Sequence, residues 1–421
     1  MNIKLAYGKN GLALEVPDER VKVVEPLHVP GLRDERQAVS KALENPIESR
    51  PLRELARAND LICITFSDIT RATPNDRLIP WLLDHLSHVP RENIVLVNQL
   101  GTHRPNTKAE LEQLLGSDVV KNYRVLNHEP ENLAELVQVG TTRDGSPALL
   151  NRHVVEANLR IVTGFIEPHF FAGFSGGPKG IMPGTAGLQT VLSNHRAANI
   201  GDPNATFGIT EGNPLWEELR EIALRVGKSF LLNVALNNKR EITGVFAGDL
   251  IRAHKEGCEF VRHSAMQRVP APFDIVVTTN SGYPLDLNLY QAVKGLSAGA
   301  RILKPGGTLI LASECLEGVP AGTPLDRLLR ANPDPARLLQ KLTATHHTEP
   351  EQWQAQILAQ VQLKHEVLIH SSIPSETLAE FNLASCPDIS AEVQKRLQAL
   401  GTNARVGVLP YGPVTIPYVG T

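Results

Sequence analysis

The fold class is clearest in residues 60–74, which read DLICITFSDITRATP. Residues 60–66 are apolar and rich in β-branched side chains, a composition that predicts a buried strand of a parallel sheet. Polar residues follow at once. The same change occurs in residues 93–105, NIVLVNQLGTHRP, and a helical pattern over residues 76–86 separates the two predicted strands. Because open α/β sheets bind ligands at the carboxyl ends of their strands, both polar segments are candidate sites.

A third predicted strand, residues 159–164, leads into the segment from Glu167 to His195, EPHFFAGFSGGPKGIMPGTAGLQTVLSNH. This segment holds two histidines and one lysine among aromatic residues and glycines, with little other charge, unlike a solvated loop. Lys179 is therefore a candidate covalent anchor or a lysine with a lowered pKa. A phosphate-binding glycine loop is the alternative. A P-loop requires a hydroxyl residue directly after the lysine, however, and Gly180 stands there.

The length of the chain, 421 residues, predicts two α/β domains with mostly parallel sheets and an active site in the cleft between them. A second α/β series starts with a strand at 273–279, continues through a helix at 289–298 and returns with a strand at 307–312. Before it, residues 268–272, RVPAP, are typical of a linker. The expected division is an N-terminal α/β domain at 1–268 carrying Lys179, His103 and His169, a C-terminal α/β domain at 273–403, and a tail at 404–421 that returns to the N-terminal domain.

Charge and cysteine content indicate a small-molecule partner. Lysine and arginine number 42 against 45 aspartates and glutamates, a net charge of −3 that offers no basic footprint for nucleic acid or an anionic membrane. The four cysteines lie far apart, which argues against a thiolate zinc site or an iron–sulfur cluster. No apolar run approaches the roughly 20 residues of a membrane span, and the first residues do not resemble a signal peptide, so a cytoplasmic location is expected.

Three of the fourteen histidines occupy informative positions. His103 follows a predicted strand, His169 follows another among aromatic residues, and His195 falls in a predicted helix at 190–198. None belongs to a His-x-x-x-His or His-Glu-x-x-His pair, so the residues alone give weak support for a zinc site. Arg71, on a strand-end loop, is a candidate for binding an anion, although a surface charge is the simpler interpretation.

Five motifs in one order resemble the nickel-pincer lactate racemases and their 2-hydroxy-acid racemase and epimerase relatives. They are Ser67-Asp68-Ile69-Thr70-Arg71, Gly101-Thr102-His103-Arg104-Pro105, Glu167 to Gly184, Ser193-Asn194-His195, and Tyr290-Gln291-Ala292-Val293-Lys294-Gly295. The resemblance extends over the whole chain. It implies an isomerase that racemises small 2-hydroxy carboxylic acids by reversible hydride transfer, with lactate as the leading substrate.

The resemblance also implies a cofactor and residue roles. The cofactor is the nickel-pincer nucleotide, a nickel complex of pyridinium-3-thioamide-5-thiocarboxylic acid mononucleotide, attached covalently to Lys179, with His195 as the protein ligand of nickel. His103 and His169 are the implied acid/base pair. Further roles are implied for Asp68, Thr70 and Arg71 in cofactor binding, and for Arg71, Tyr290, Gln291, Lys294 and Trp353 in substrate binding. Enzymes that build the cofactor are implied partners.

Other functions remain open at this point. The same chemistry could act on malate, phenyllactate or a sugar acid, and Arg104 and Lys294 leave room for the second carboxylate of malate. An NAD-dependent hydroxy-acid dehydrogenase shares the hydride chemistry, but the dinucleotide-binding fingerprint is missing. A non-catalytic ligand-binding protein would need neither the histidines nor the lysine.

Overall fold

The structure is a computed structural model that describes residues 1–345 and 347–420, apart from the side chain of Asp18. The strands are β1 Asn2–Leu5, β2 Leu12–Glu15, β3 Val21–Val23, β4 Ile62–Phe66, β5 Ile94–Asn98, β6 Arg124–Asn127, β7 Leu136–Thr141, β8 Pro147–Asn151, β9 Leu159–Phe165, β10 Pro168–His169, β11 Gly173–Phe174, β12 Ser229–Leu236, β13 Ile242–Asp249, β14 Met266–Val269, β15 Phe273–Thr279, β16 Leu303–Ala312, β17 Glu366–His370, β18 Ala384–Ser385, β19 Val406–Leu409 and β20 Ile416–Val419.

The α-helices are α1 Glu35–Glu44, α2 Leu52–Leu55, α3 Asn75–His85, α4 Lys108–Leu115, α5 Ser117–Asn122, α6 Arg152–Glu156, α7 Leu188–Asn194, α8 Ala197–Ile200, α9 Pro214–Leu224, α10 Arg252–Ala265, α11 Leu289–Ala300, α12 Pro324–Ala331, α13 Pro335–Ala344, α14 Gln352–Gln362, α15 Ser375–Glu380 and α16 Ile389–Leu400. Within the described ranges, no helix is both long and apolar enough to cross a membrane.

The chain forms two compact units. The lysine unit comprises His28–Asn194 and Gly208–His263, and the C-terminal unit comprises Met1–Leu27, His195–Phe207 and the described residues from Ser264 onwards. Each unit is built around a six-stranded sheet. The α/β class with mostly parallel sheets agrees with the prediction.

The sheet of the lysine unit has the order β13-β12-β9-β4-β5-β6, and only the β12/β13 pair is antiparallel. Successive side chains along a strand point to opposite faces. Ile62 and Ile64 therefore join a core with Leu78 of α3, whereas Cys63 joins a second core with Leu219 of α9. Helices cover both faces, which explains why the predicted strands are apolar throughout.

The order of these strands locates a ligand-binding edge. From β4, the chain adds β5 and β6 on one side and then β9 and β12 on the other, so the direction of growth reverses between β4 and β9. Such a switch point opens a crevice at the carboxyl ends of the two strands. The loop after β4 begins with Ser67, and the loop after β9 leads to His169 and Lys179. Three of the predicted motifs thus follow the adjacent strands β5, β4 and β9.

The sheet of the C-terminal unit has the order β18-β17-β16-β15-β19-β3, and every neighbouring pair is parallel. One of its faces carries a core in which Ile275 of β15 packs with Leu5 and Leu14 of the β1–β2 hairpin and with Val393 of α16. The strand predicted at 273–279 matches β15.

The division of the chain differs from the predicted one at three places. The first 27 residues belong to the C-terminal unit, because β3 pairs with β19 and the β1–β2 hairpin contributes to that core. Residues 195–207 belong there too, since Gln356 Nε2 donates to the carbonyl of Ala197 at 2.9 Å and Arg301 donates to Thr206 Oγ1 at 2.7 Å.

The third difference is the predicted tail at 404–421, whose last residue, Thr421, lies outside the described residues. It does not return to the first domain. Its β19 lies inside the C-terminal sheet, and β20 pairs with β14 over Met266–Val269, where a linker was predicted to begin. Local patterns show where strands form, but pairing between segments so distant in sequence depends on tertiary packing.

Candidate active site

Asp68 and His103 form a hydrogen-bonded pair at the carboxyl ends of β4 and β5. The Asp68 side chain is 2% exposed, and its Oδ2 lies 2.6 Å from His103 Nδ1. Its Oδ1 accepts from the backbone N–H of Thr70 at 3.0 Å and from the Thr70 hydroxyl at 2.6 Å. Burial alone would raise the pKa of this carboxyl group, but His103, Arg71 and the Thr70 hydroxyl outweigh burial and lower the pKa to about 2.

The ionised Asp68 determines which nitrogen of His103 carries the proton. A carboxylate can only accept hydrogen bonds, so Nδ1 of His103 is the donor. In the neutral ring, Nε2 then keeps its lone pair. His103 is therefore arranged to accept a proton at Nε2, and Asp68 can stabilise the charge that results.

His169 has the opposite arrangement. It is 7% exposed and lies in β10, which pairs with β11 in a short antiparallel ladder. Its Nδ1 accepts from the backbone N–H of Ala172 at 3.2 Å and, more weakly, from that of Phe171 at 3.5 Å. In the neutral ring the proton must then lie on Nε2. The ring stacks on Phe170 at a centroid distance of 5.0 Å and meets the edge of Phe171 at 4.5 Å.

The two tautomers can be checked by ¹⁵N NMR on histidine-labelled protein without cofactor. We expect the neutral ring of His103 to carry its proton on Nδ1 and that of His169 to carry it on Nε2. Asp68→Ala should convert His103 to the Nε2–H form, which free imidazole side chains prefer, and leave His169 unchanged. His128 is an internal control, because its Nε2 faces the carbonyl of Ala186 at 2.9 Å. An Nε2–H tautomer of His103 in the unmodified protein would contradict the assignment.

Lys179 lies in a single 3₁₀ turn, Gly177–Gly180, after β9. The residue is partly buried, and its Nζ is 5.8 Å from the centroid of the Phe171 ring. Among the described residues, no hydrogen bond or ion pair involves this amine. Burial lowers the pKa of Lys179 to about 7, with the charge of Arg71 acting in the same direction and Glu167 against it. A large fraction of the amine is thus neutral near pH 7, as a lysine nucleophile requires.

Arg71 is suited to hold a small anion. Its backbone N–H donates to the carbonyl of Asp68 at 3.1 Å, which fixes the loop. In the part of the chain that the structure describes, its guanidinium makes no hydrogen bond or ion pair. Its charge lowers the pKa values of both Asp68 and Lys179. A guanidinium of this kind can bind a carboxylate through two parallel hydrogen bonds.

The prediction that His195 lies inside a helix at 190–198 is wrong. Helix α7 ends at Asn194, and Arg196 is extended with φ −60° and ψ 154° before α8 begins at Ala197. The apolar spacing that suggested one helix continues through the break. The Asn194 side chain donates to Glu218 Oε2 at 2.8 Å and to the carbonyl of Leu215 at 3.2 Å, and such tertiary contacts override local helix propensity.

The predicted site residues of the C-terminal unit form two contacting sets. The ring of His195 meets the edge of Trp353 at a centroid distance of 4.9 Å, and Trp353 Nε1 donates to the hydroxyl of Tyr290 at 3.0 Å. On the next turn of α11, Lys294 Nζ donates to Gln291 Oε1 at 2.5 Å. The structure thus gives one contacting set, His195, Trp353 and Tyr290, and beside it on α11 the pair Gln291 and Lys294. The roles of these residues stay predictions.

Comparison with known families decides the identity of the chain. Residues 7–208 match a family model described as the lactate racemase N-terminal domain, and residues 268–416 match the lactate racemase C-terminal domain. The chain belongs to the lactate racemase family. The predicted resemblance is therefore confirmed.

Two curated lactate racemases are similar over nearly their full length. That of Thermoanaerobacterium thermosaccharolyticum is 36% identical over 418 residues, which cover 98% of both chains. That of Lactiplantibacillus plantarum is 35% identical over 418 residues, covering 97% of this chain and 98% of the relative.

Solved structures agree with this membership. The lactate racemase apoprotein from T. thermosaccharolyticum superposes with a TM-score of 0.92 at 35% identity and covers 99% of this chain and 100% of its own. A structural-genomics protein from Thermotoga maritima superposes with a TM-score of 0.73 at 19% identity, covering 93% of this chain and 100% of its own. The second match shows the fold alone.

Sequence reasoning identified Asp68 as a candidate site residue but missed Asn233 and His254. The predicted contact of Asp68 with the cofactor stays a prediction, and the structure adds that its carboxylate accepts hydrogen bonds from His103 and Thr70. A signal for this pairing existed, because the two residues follow neighbouring strands. Asn233 and His254, which contact the loop that precedes Lys179, carry no sequence signal that distinguishes them from ordinary buried polar residues.

Proposed function

We propose that the chain is a lactate racemase that interconverts D- and L-lactate with a nickel-pincer nucleotide attached to Lys179. The observation that carries the proposal is the combination, in one unit, of a lysine whose pKa is lowered to about 7 with two histidines whose neutral tautomers are opposite. Family membership supports the reaction, and the resemblance of the motifs supports the cofactor.

The residues of the chain fit this cofactor. An amide or thioamide link requires a neutral amine, and burial keeps much of Lys179 neutral near pH 7. His195 offers an imidazole, a ligand type that suits nickel. When bound, the cofactor supplies an acceptor for the hydrogen that leaves C2 of the substrate as hydride. Loading would need nickel and the enzymes that build the cofactor.

The chain's own residues bind the substrate and move its hydroxyl proton. Arg71 holds the carboxylate, and Nε2 of His103 takes the hydroxyl proton of one enantiomer while Asp68 stabilises the imidazolium. His169, in its protonated form, returns a proton to the oxygen when the other enantiomer forms. In the reverse direction the two rings exchange roles, since each must act as an acid one way and a base the other.

The two histidines are not equivalent in this cycle. A doubly protonated His169 carries a proton on Nδ1, which can then no longer accept from the N–H groups of Phe171 and Ala172. The structure thus corresponds to the form in which His169 is neutral. Protonation of His169 would be accompanied by a local change in residues 169–172.

The surroundings of the histidines favour lactate over malate. Of the two residues that could have bound a second carboxylate, Arg104 makes two hydrogen bonds to Glu110, of 2.6 and 2.9 Å, and Lys294 donates to Gln291. Phe170 and Phe171 give His169 apolar surroundings that suit the methyl group of lactate. Phenyllactate also carries an apolar side chain and is the second candidate.

The proposal is tested with protein produced together with nickel and cofactor-building enzymes. Each enantiomer of lactate, malate and phenyllactate is incubated with this protein, and the products are separated by chiral chromatography. We expect lactate to reach an equal mixture from either side, malate to react much more slowly, and added NAD to have no effect. Failure to interconvert any 2-hydroxy acid, or a requirement for NAD, would contradict the proposal.

A further inference from the structure

A buried histidine of α10 contacts the loop that carries Lys179. His254 is 1% exposed, and its Nε2 lies 2.8 Å from the carbonyl oxygen of Ser175. A carbonyl can only accept, so Nε2 carries the proton and donates it. Trp216 stacks parallel to the ring, with a centroid distance of 6.3 Å and an interplanar angle of 13°. The position of the ring is therefore fixed by packing as well as by its hydrogen bond.

A second buried side chain holds the same loop from another element. Asn233 of β12 is fully buried, and its Oδ1 accepts from the backbone N–H of Gly177 at 2.7 Å. The two side chains thus bind residues only two positions apart, one through a carbonyl and the other through an N–H group.

The loop is packed tightly enough that only glycine fits beside these side chains. Gly176 and Gly177 have φ values of 75° and 57°, in the left-handed region that favours glycine. A Cβ atom on Gly177 would lie 2.4 Å from the His254 ring, and one on Gly176 would lie 2.4 Å from Asn233 Oδ1. The backbone of the loop therefore rests directly against both side chains.

The loop held by these contacts is hydrogen-bonded to the backbone of Lys179. The backbone N–H of Lys179 donates to the carbonyl of Gly176 at 3.2 Å, and its own carbonyl accepts from Gly184 at 3.0 Å. Burial lowers the pKa of His254 to about 4, with the Ser175 hydrogen bond acting against this shift and the charge of Lys179 in the same direction. At neutral pH the imidazole is uncharged and adds no positive charge near the amine.

We infer that His254 and Asn233 are positioning residues that clamp residues 175–177 and thereby hold the amine of Lys179 at one place in the site. The importance of the clamp for catalysis rests on the proposed role of Lys179. The existence of the clamp does not depend on that proposed role, because the contacts of the clamp involve only residues of the chain. Without the clamp the loop could move, and the amine would gain access to water.

The inference is tested on the protein without cofactor, by the pH dependence of Lys179 acetylation with trace isotope-labelled acetic anhydride and peptide mass spectrometry. The charged groups that act on this amine are Arg71 and Glu167, while His254 is neutral. In the unmodified protein we expect a midpoint near pH 7, the pKa of the buried amine. His254→Leu should raise the midpoint by about one pH unit or more, because a solvated lysine has a pKa of about 10.4.

Two further variants separate positioning from general stability. His254→Gln keeps a donor for the Ser175 carbonyl and should restore the midpoint to within about 0.3 unit of the unmodified protein. His128→Gln alters another buried histidine with a backbone contact, to Ala186, and should lower the melting temperature without moving the midpoint. If His254→Leu does not fold, Asn233→Ser takes its place. This variant weakens the contact with the N–H of Gly177 and should also raise the midpoint of Lys179 acetylation.

Hydrogen–deuterium exchange of the peptide covering residues 173–180 gives an independent readout. It should increase in His254→Leu and in Asn233→Ser, and stay unchanged in His128→Gln. An unchanged acetylation midpoint together with unchanged exchange in the folded variants would overturn the inference. Since neither readout needs cofactor or substrate, a failure of the clamp and a failure of the proposed reaction are distinguishable.

Discussion

Replacement of Lys179 by alanine is expected to abolish both cofactor attachment and racemisation. The amine is the only group of this side chain that can form the proposed covalent link, and its lowered pKa of about 7 leaves a large fraction of it neutral and nucleophilic near pH 7. Lys179→Arg should be equally inactive, because a guanidinium stays charged and does not form such a link. The loss should be complete in both directions.

Intact mass spectrometry checks this expectation most simply. The unmodified protein, produced with the cofactor-building enzymes, should carry one adduct, and both Lys179 variants should have the mass of the bare chain. Lys228→Ala is a suitable control, because that lysine donates to the carbonyl of Leu55 at 3.0 Å, away from the loop after β9. An adduct that persists in Lys179→Ala would show that the cofactor is attached elsewhere or not covalently.

Replacement of either His103 or His169 by glutamine is expected to reduce racemisation by about 100-fold or more in each direction. Glutamine keeps a polar side chain of similar length but cannot take up a proton at neutral pH. In the proposed cycle each histidine serves as base for one enantiomer and as acid for the other, so both directions should be slowed.

Equilibrium constrains what the two histidine variants can show. The enantiomers of lactate have equal free energy in water, so kcat/KM must remain equal in both directions in every variant. Any difference between His103 and His169 must appear in kcat and KM separately. Near-normal turnover of either variant, with the loaded cofactor verified by mass, would contradict the two-histidine assignment.

Much of the fold could be predicted because its central strands are buried on both faces. A run such as FDIVVTT has few alternatives to a parallel strand, and β15 occupies those seven residues. The pairing of a short edge strand could not be predicted in this way. The strand β3 has three residues, and its pairing with β19 could be seen only once the chain was folded.

The candidate site could be predicted where its residues directly follow the ends of strands. His103 follows β5, and His169 and Lys179 follow β9, the strands on either side of β4, so the topology alone brings their loops to one edge of the sheet. The hydrogen bond between Asp68 and His103, and the contacts of His254, are properties of side-chain packing between distant segments. The neighbouring strands β4 and β5 indicate that Asp68 and His103 lie close, but no local pattern encodes the hydrogen bond itself or the contacts of His254. The break after Asn194 is of the same kind, since tertiary contacts end a helix that the spacing would continue.

The most direct test of the proposed reaction follows the hydrogen at C2 of the substrate. L-lactate labelled with deuterium at C2 is incubated with the loaded protein in ordinary water, and the D-lactate formed is separated and analysed by mass spectrometry. Transfer of this hydrogen as hydride within a site closed to water predicts that the D-lactate keeps its deuterium. Deuterium lost to water during each inversion would instead indicate removal of C2 hydrogen as a proton, and would contradict the account.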